Sequence, residues 1–210
     1  MLSRDDFEKL CKAFLDKFAS SSDEVFGGWS WNEHSYLPRL GYLSRKRTAR
    51  SSANTSTAEV GEEDEVLAEE SENDAATAVT REECDLLEVR QYIVYSATFQ
   101  VPVFYFSVHT RSGSPLSLDG ILSTSLFRRN VFPDARKTGF ALQTPDHSFP
   151  LLSQGEHPTL GTPCWFFHPC ETPVALTELV RADGGADTSP GRLMELWLLL
   201  VGNVVNLRVS

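Results

Sequence analysis

The stretch VRQYIVYSATFQVPVFYFSVH, residues 89–109, decides the fold. Val89–Phe99 and Val103–His109 are dense in Val, Ile, Tyr and Phe, whose branched or aromatic side chains suit a pleated, half-buried surface. Only Gln100-Val101-Pro102 separates them, so the two runs read as adjacent antiparallel strands. Pro102 cannot donate to a ladder and is expected at a bend or an edge.

Upstream, Phe7, Leu10, Cys11, Phe14, Leu15 and Phe18 recur at helical spacing between Ser3, which reads as an N-cap, and the Ser20-Ser21-Ser22 stop. An amphipathic helix follows, with Cys11 packed on its apolar stripe. Trp29-Ser30-Trp31 and Leu40-Gly41-Tyr42-Leu43 suit two short, half-buried strands. From Ser44 to Thr80 the composition changes: Arg45-Lys46-Arg47 opens a stretch with few apolar residues and no periodicity, which includes the acidic run Glu62–Glu72. Such a segment cannot fill a core, so 44–80 reads as a disordered acidic insertion inside one domain spanning 1–210. The acidic run itself reads as solvated, with docking onto a basic partner surface as the sharper alternative.

Downstream, Arg111-Ser112-Gly113-Ser114-Pro115 is a turn and Leu116–Phe127 is expected to hold a short helix. Residues 128–150, punctuated by prolines, read as loop with at most one short strand. Glu156-His157-Pro158 and Gly161-Thr162-Pro163 bracket a turn into a strand at Cys164–His168. Alternation puts Cys164, Phe166 and His168 on one face and Trp165 with Phe167 on the other, so Cys164 is expected in the core.

Pro169 removes a ladder donor and ends that strand, handing Cys170 to a loop. Thr172-Pro173 then fits an N-cap followed by proline in the first turn of a helix that Gly184-Gly185 terminates. Cys170 thus precedes a helix N-terminus, where free amides and the positive dipole end favour a nucleophilic thiolate and can hold an oxyanion. Glu171 works against that, since a neighbouring carboxylate opposes a second negative charge. His168 reads as a histidine that fixes the loop by hydrogen bonds, with general base in a Cys/His pair as the competing role.

The 210 residues, 41% of them hydrophobic, suffice for the core of one ordinary domain. A formal charge of -10 opposes binding to bare nucleic acid or anionic lipid and points to protein partners. The amino terminus shows no apolar signal region, so a cytoplasmic protein is expected. Leu193–Val205 is interrupted by Glu195 and Gly202 and falls short of the roughly 20 residues a spanning helix needs. Cys11, Cys84, Cys164 and Cys170 are expected as reduced thiols, without the paired spacing of a closed zinc site, and no cofactor is expected.

FQVPVFYFSV (99–108), SGSPLSL (112–118), QGEHPTLGTPCWFFHPCET (154–172) and LWLLLVGNVVNL (196–207) together resemble the E2-like enzymes of the autophagocytosis-associated protein family. The resemblance implies the α+β fold of ubiquitin-conjugating enzymes, an antiparallel sheet flanked by helices. It implies Cys170 as the active-site thiol, accepting the ubiquitin-like autophagy-related protein 12 as a thioester from the E1-like autophagy-related protein 7. Transfer to a lysine of autophagy-related protein 5 would follow. Ordinary ubiquitin-conjugating enzymes carry His-Pro-Asn upstream of their cysteine, whereas here the cysteine itself follows His168-Pro169. An oxyanion donor is therefore sought in Gln154, Thr172 or backbone amides.

Another branch of the family, the autophagy-related protein 3 type, conjugates to phosphatidylethanolamine and begins with a membrane-binding helix rich in small and basic residues. The first helix here instead carries Asp5, Asp6, Glu8 and Asp16, which weaken binding to anionic lipid. A redox or hydrolytic thiol enzyme and a non-catalytic protein-binding module remain as other classes.

Overall fold

In the computed structural model, which describes residues 2–19, 23–51, 86–145, 150–184 and 189–208, the Val89–His109 region forms the middle of an antiparallel sheet. The chain runs through α1 (Arg4–Phe18), β1 (Ser30–Asn32), one turn of 3-10 helix (Pro38–Leu40), β2 (Tyr42–Arg50), β3 (Leu86–Ser96) and β4 (Val101–His109). It continues with α2 (Leu118–Leu122), β5 (Arg136–Lys137), β6 (Ala141–Gln143), β7 (Leu152–Glu156), β8 (Pro163–Phe167), α3 (Thr172–Ala182) and α4 (Pro190–Gly202). The strand order is β1-β2-β3-β4-β8-β7-β6-β5. This is the α+β arrangement, an antiparallel sheet flanked by helices, that the family resemblance implies.

The hairpin between β3 and β4 turns at Ala97–Gln100, with Ser96 opposite Val101. Gln100 takes a left-handed φ of 54° and its amide donates to the Ser96 carbonyl at 2.8 Å. Pro102 lies inside β4 opposite Tyr95, not at a bend. Its other flank is nevertheless a local edge, because β8 pairs with β4 only at Tyr105↔Phe166 and Phe106↔Trp165. Beyond those pairs the two strands part, and neither Pro102 nor Pro169 has an N–H with which to extend the ladder.

One face of the sheet is covered by helices. Ser3 caps α1 through a reciprocal capping box with Asp6, and Phe7, Leu10, Cys11 and Phe14 are buried on the stripe that the periodicity marks. Burying each large side chain stabilises the fold by roughly 1.5–3 kcal/mol relative to leaving it in water. The stripe packs on α4, whose Met194, Trp197 and Leu198 are buried in the same cluster. Glu195, which interrupts the apolar run, is buried there and paired with Lys17 of α1 and with Arg192. Among the described residues no helix is long and apolar enough to cross a membrane.

Several boundaries differ from the sequence reading. Ser44–Arg50, read as the start of the insertion, continues β2 and pairs with β3 as far as Arg50↔Leu86. Alternation persists through the charged triplet, but the inward position after Leu43 is an arginine. Arg45 is buried, donates to Gln91 Oε1 at 2.6 Å and to the Val25 carbonyl at 2.8 Å, and lies 4.3 Å over the Trp29 ring. Burial pushes its guanidinium down to about 9. The rest of the expected insertion, 52–80, lies outside the described residues, as does Cys84. Residues 128–150 hold two short strands, β5 and β6, where at most one was expected.

Candidate functional site

The parting of β4 and β8 opens a cavity of about 530 Å³ roofed by α3 and α4. Pro102, Val103 and Phe104 line it from one strand and Phe167 from the other, with Trp197 and Leu200 above. Cys170 lies on its wall, half-buried, between the end of β8 and the start of α3.

Local hydrogen bonds shape the loop. The His168 amide donates to the Leu151 carbonyl at 3.0 Å, holding the end of β8 to the chain entering β7. His168 Nδ1 in turn accepts the Cys170 amide across Pro169, at a long 3.4 Å. The Thr172 amide donates to the Pro169 carbonyl at 3.2 Å and the Ala175 amide to Glu171 at 3.1 Å, which winds the chain directly into α3. Thr172 is therefore the first helical residue and not the N-cap; Glu171 holds that position without a side-chain capping bond. The amides of Cys170 and Thr172, expected to be open, are both engaged in building the turn. The bond from the Cys170 amide ties the His168 ring to that turn, and the ring stands edge-on to Phe99 at 5.5 Å.

The profile of a family described as "Autophagocytosis associated protein, active-site domain" matches residues 6–210. The chain belongs to the autophagocytosis-associated protein family. Among its relatives, a human protein named "Ubiquitin-like-conjugating enzyme ATG10" is 22% identical, with 99% of this chain and 93% of the relative aligned. A protein of the same name from Arabidopsis thaliana is 28% identical, covering 99% of this chain and 92% of its own. A third, from Dictyostelium discoideum, is 30% identical over 56% of this chain and 50% of the relative.

Of the candidate site residues, the fold gathers Cys170, His168, Pro169 and Thr172 around one cavity. Gln154 is not among its lining residues. It pairs with Trp165 in the β7–β8 ladder while Leu152 faces Phe167, so each step from Leu152 to Gln154 leads away from the loop. Thr172 carries the one side-chain hydroxyl among the described lining residues.

The other described cysteines are closed off. Cys11 is buried on α1, and burial raises its thiol well above the ordinary value. Cys164 is 2% exposed, yet it does not lie in the main core. It packs on the opposite face of the sheet with Tyr42, Tyr92 and Val94, and burial raises its thiol too. Alternation along the strand gave its face correctly, but which face the helices cover is decided by Trp165 and Phe167.

Sequence reasoning missed the cavity's roof. Trp197, Leu200, Val201 and Val204 recur at three- and four-residue spacing along the C-terminal run, a signal legible in the sequence as a helix face aimed at the sheet.

Proposed function

We propose that Cys170 is the acceptor thiol of this E2-like conjugating enzyme, and that it carries autophagy-related protein 12 between autophagy-related protein 7 and a lysine of autophagy-related protein 5. The observation that carries this reading is the placement of Cys170: half-buried beside an apolar cavity, while Cys11 and Cys164 are sealed. The protein is an E2-like transferase acting on a ubiquitin-like protein, in keeping with its family.

Two acyl transfers are required. In the first, the Cys170 sulfur attacks the modifier's thioester carbonyl on the E1; a new S–C bond forms, the E1's S–C bond breaks, and the E1 thiol takes up the proton. In the second, a neutral lysine amine attacks the Cys170 thioester, an amide forms, and the thiol is regenerated as the amine loses its proton. Exchange between two sulfurs has little intrinsic bias, so access and orientation govern it. The turn at Pro169–Thr172 fixes the sulfur's direction, the apolar wall keeps water from competing for the thioester, and the Thr172 hydroxyl is the side-chain candidate for the developing oxyanion.

The lipid-conjugating alternative needs a first helix with a spare apolar face. Here Phe7, Leu10, Cys11 and Phe14 are used against α4 and the sheet.

A non-reducing gel tests the proposal. Mixed with the E1, ATP and the modifier, the wild-type chain is expected to form an adduct that thiol reductant removes. Cys170→Ser should give a reductant-stable oxyester, Cys170→Ala none, and Cys164→Ser a normal adduct. An adduct that survives Cys170→Ala and disappears with another cysteine would overturn the assignment.

A further inference from the structure

A second groove, of about 870 Å³, runs beside the cysteine cavity. Arg50 from the end of β2, Arg128 and Arg129 from the segment after α2, and Lys137 of β5 line it, and none of the described lining residues is acidic. Lys137 is held by the exposed Asp119 at 2.9 Å, but among the described residues no carboxylate pairs with Arg50, Arg128 or Arg129. On a chain of net charge -10, so local a concentration of cations is a built asymmetry. Half-buried Val131 and Phe132 lie between the cations, so the lining suits acidic and apolar side chains together.

Segments hydrogen-bonded to one another line the groove and the cysteine cavity. Val204 lines the cysteine cavity and Asn206 the groove, and Arg128 braces the strip between them. Its amide donates to the Val204 carbonyl at 3.0 Å and its guanidinium to the Gly202 carbonyl. Leu151 of the cavity donates its amide to Leu142 of the groove at 2.9 Å. The groove thus lies within reach of a protein large enough to present its reacting group at Cys170.

We infer that the groove docks an acidic segment bearing apolar side chains, belonging to the protein partner that reacts at Cys170. The inference rests on the proposed role of Cys170 for its partner, while the surface itself is read independently of it. Charge attraction steers the partner and the apolar floor sets its register.

The test measures anisotropy of a fluorescein-labelled peptide of Glu-Glu-Leu repeats with the full chain, in the absence of E1 and ATP, so peptide binding and thioester formation fail separately. Saturable binding that weakens with added salt is expected, with a loss of about tenfold in Arg129→Glu and a similar further loss in Arg50→Glu. Lys9→Glu, the same charge change on the exposed face of α1, should leave it intact, and a Gln-Gln-Leu peptide should not bind. Equal loss in Lys9→Glu, or equal binding of the neutral peptide, overturns the inference. So does binding seen only after the carboxylates of Glu62–Glu72 are converted to amides, which would make the chain's own acidic run the occupant.

Discussion

The two ends of β8 carry the same ingredients in different surroundings. Before the strand stands His157-Pro158, with Cys164 near its start; after it stands His168-Pro169, followed at once by Cys170. In both loops the imidazole Nδ1 accepts amides that lie beyond a proline. His157 accepts from Thr159 at 3.2 Å and Leu160 at 3.1 Å, whereas His168 accepts the Cys170 amide at a longer 3.4 Å. His157 is 1% exposed and wedged edge-on between Tyr42 and Tyr92, each 4.7 Å away. His168 stands at the lip of a cavity. One end is a sealed joint and the other an open one, and the difference lies in what packs around the same short motif.

The largest contrast is in thiol chemistry. In a Cys84→Ser background, iodoacetamide should modify Cys170 in the native state, while Cys164 and Cys11 resist until the protein unfolds. Mass mapping of the alkylated peptides checks this, and native modification of Cys164 at a comparable rate would break the comparison.

Next in size is His157→Ala. It strands two loop amides and opens a void among three tyrosine rings, so a loss of about 3 kcal/mol in denaturant-derived stability is expected. His157→Asn, whose side-chain oxygen can accept the same amides, should recover part of it.

Acid should act through the same joint. Burial pushes His157 down to about 4, from an ordinary 6.5. The rings of Tyr42, Tyr92 and Tyr105 surround it, Cys164 packs with the first two, and burial displaces all four toward their neutral forms. Because the folded state takes up the proton less readily than the unfolded one, this contribution is complete above pH 6.5 and declines as the pH falls toward 4. The full effect is on the order of 3 kcal/mol. Urea midpoints across that window, compared between wild type and His157→Asn, measure it.

The smallest effect is expected at the open end. His168→Ala removes the long bond to the Cys170 amide and the edge contact with Phe99, and should lower stability by about 1 kcal/mol, less than His157→Ala. Adduct formation should persist but slow down, since the Cys170 loop loses its brace. Abolition of the adduct with unchanged stability would instead give His168 a direct chemical part.

The first helix was legible because Phe7, Leu10 and Phe14 repeat at its period and Ser3 supplies a cap. The β3–β4 pair was legible from its branched and aromatic content, and the exit of Cys170 from β8 from a single proline. What escaped the sequence was set by distant partners. The β2 extension was hidden because a charged residue at an inward position reads as solvent-facing until Gln91 and the carbonyls of Glu24, Val25 and Gly27 are seen around it. Gln154 seemed near Cys170 because both fall in the one stretch, 154–172, that carries the family resemblance, and the hairpin register separates them. The basic groove draws Arg50 and Arg129 together across 79 residues, and no local pattern announces that.

The divergence of β4 from β8 has a consequence for how the reactive centre is kept open. Pro102 and Pro169 both line the gap and neither has an amide hydrogen, so the ladder cannot be completed through that pair near the sulfur. Part of the opening beside Cys170 is thereby written into the main chain, and that part should outlast drift in the side chains that furnish the entrance.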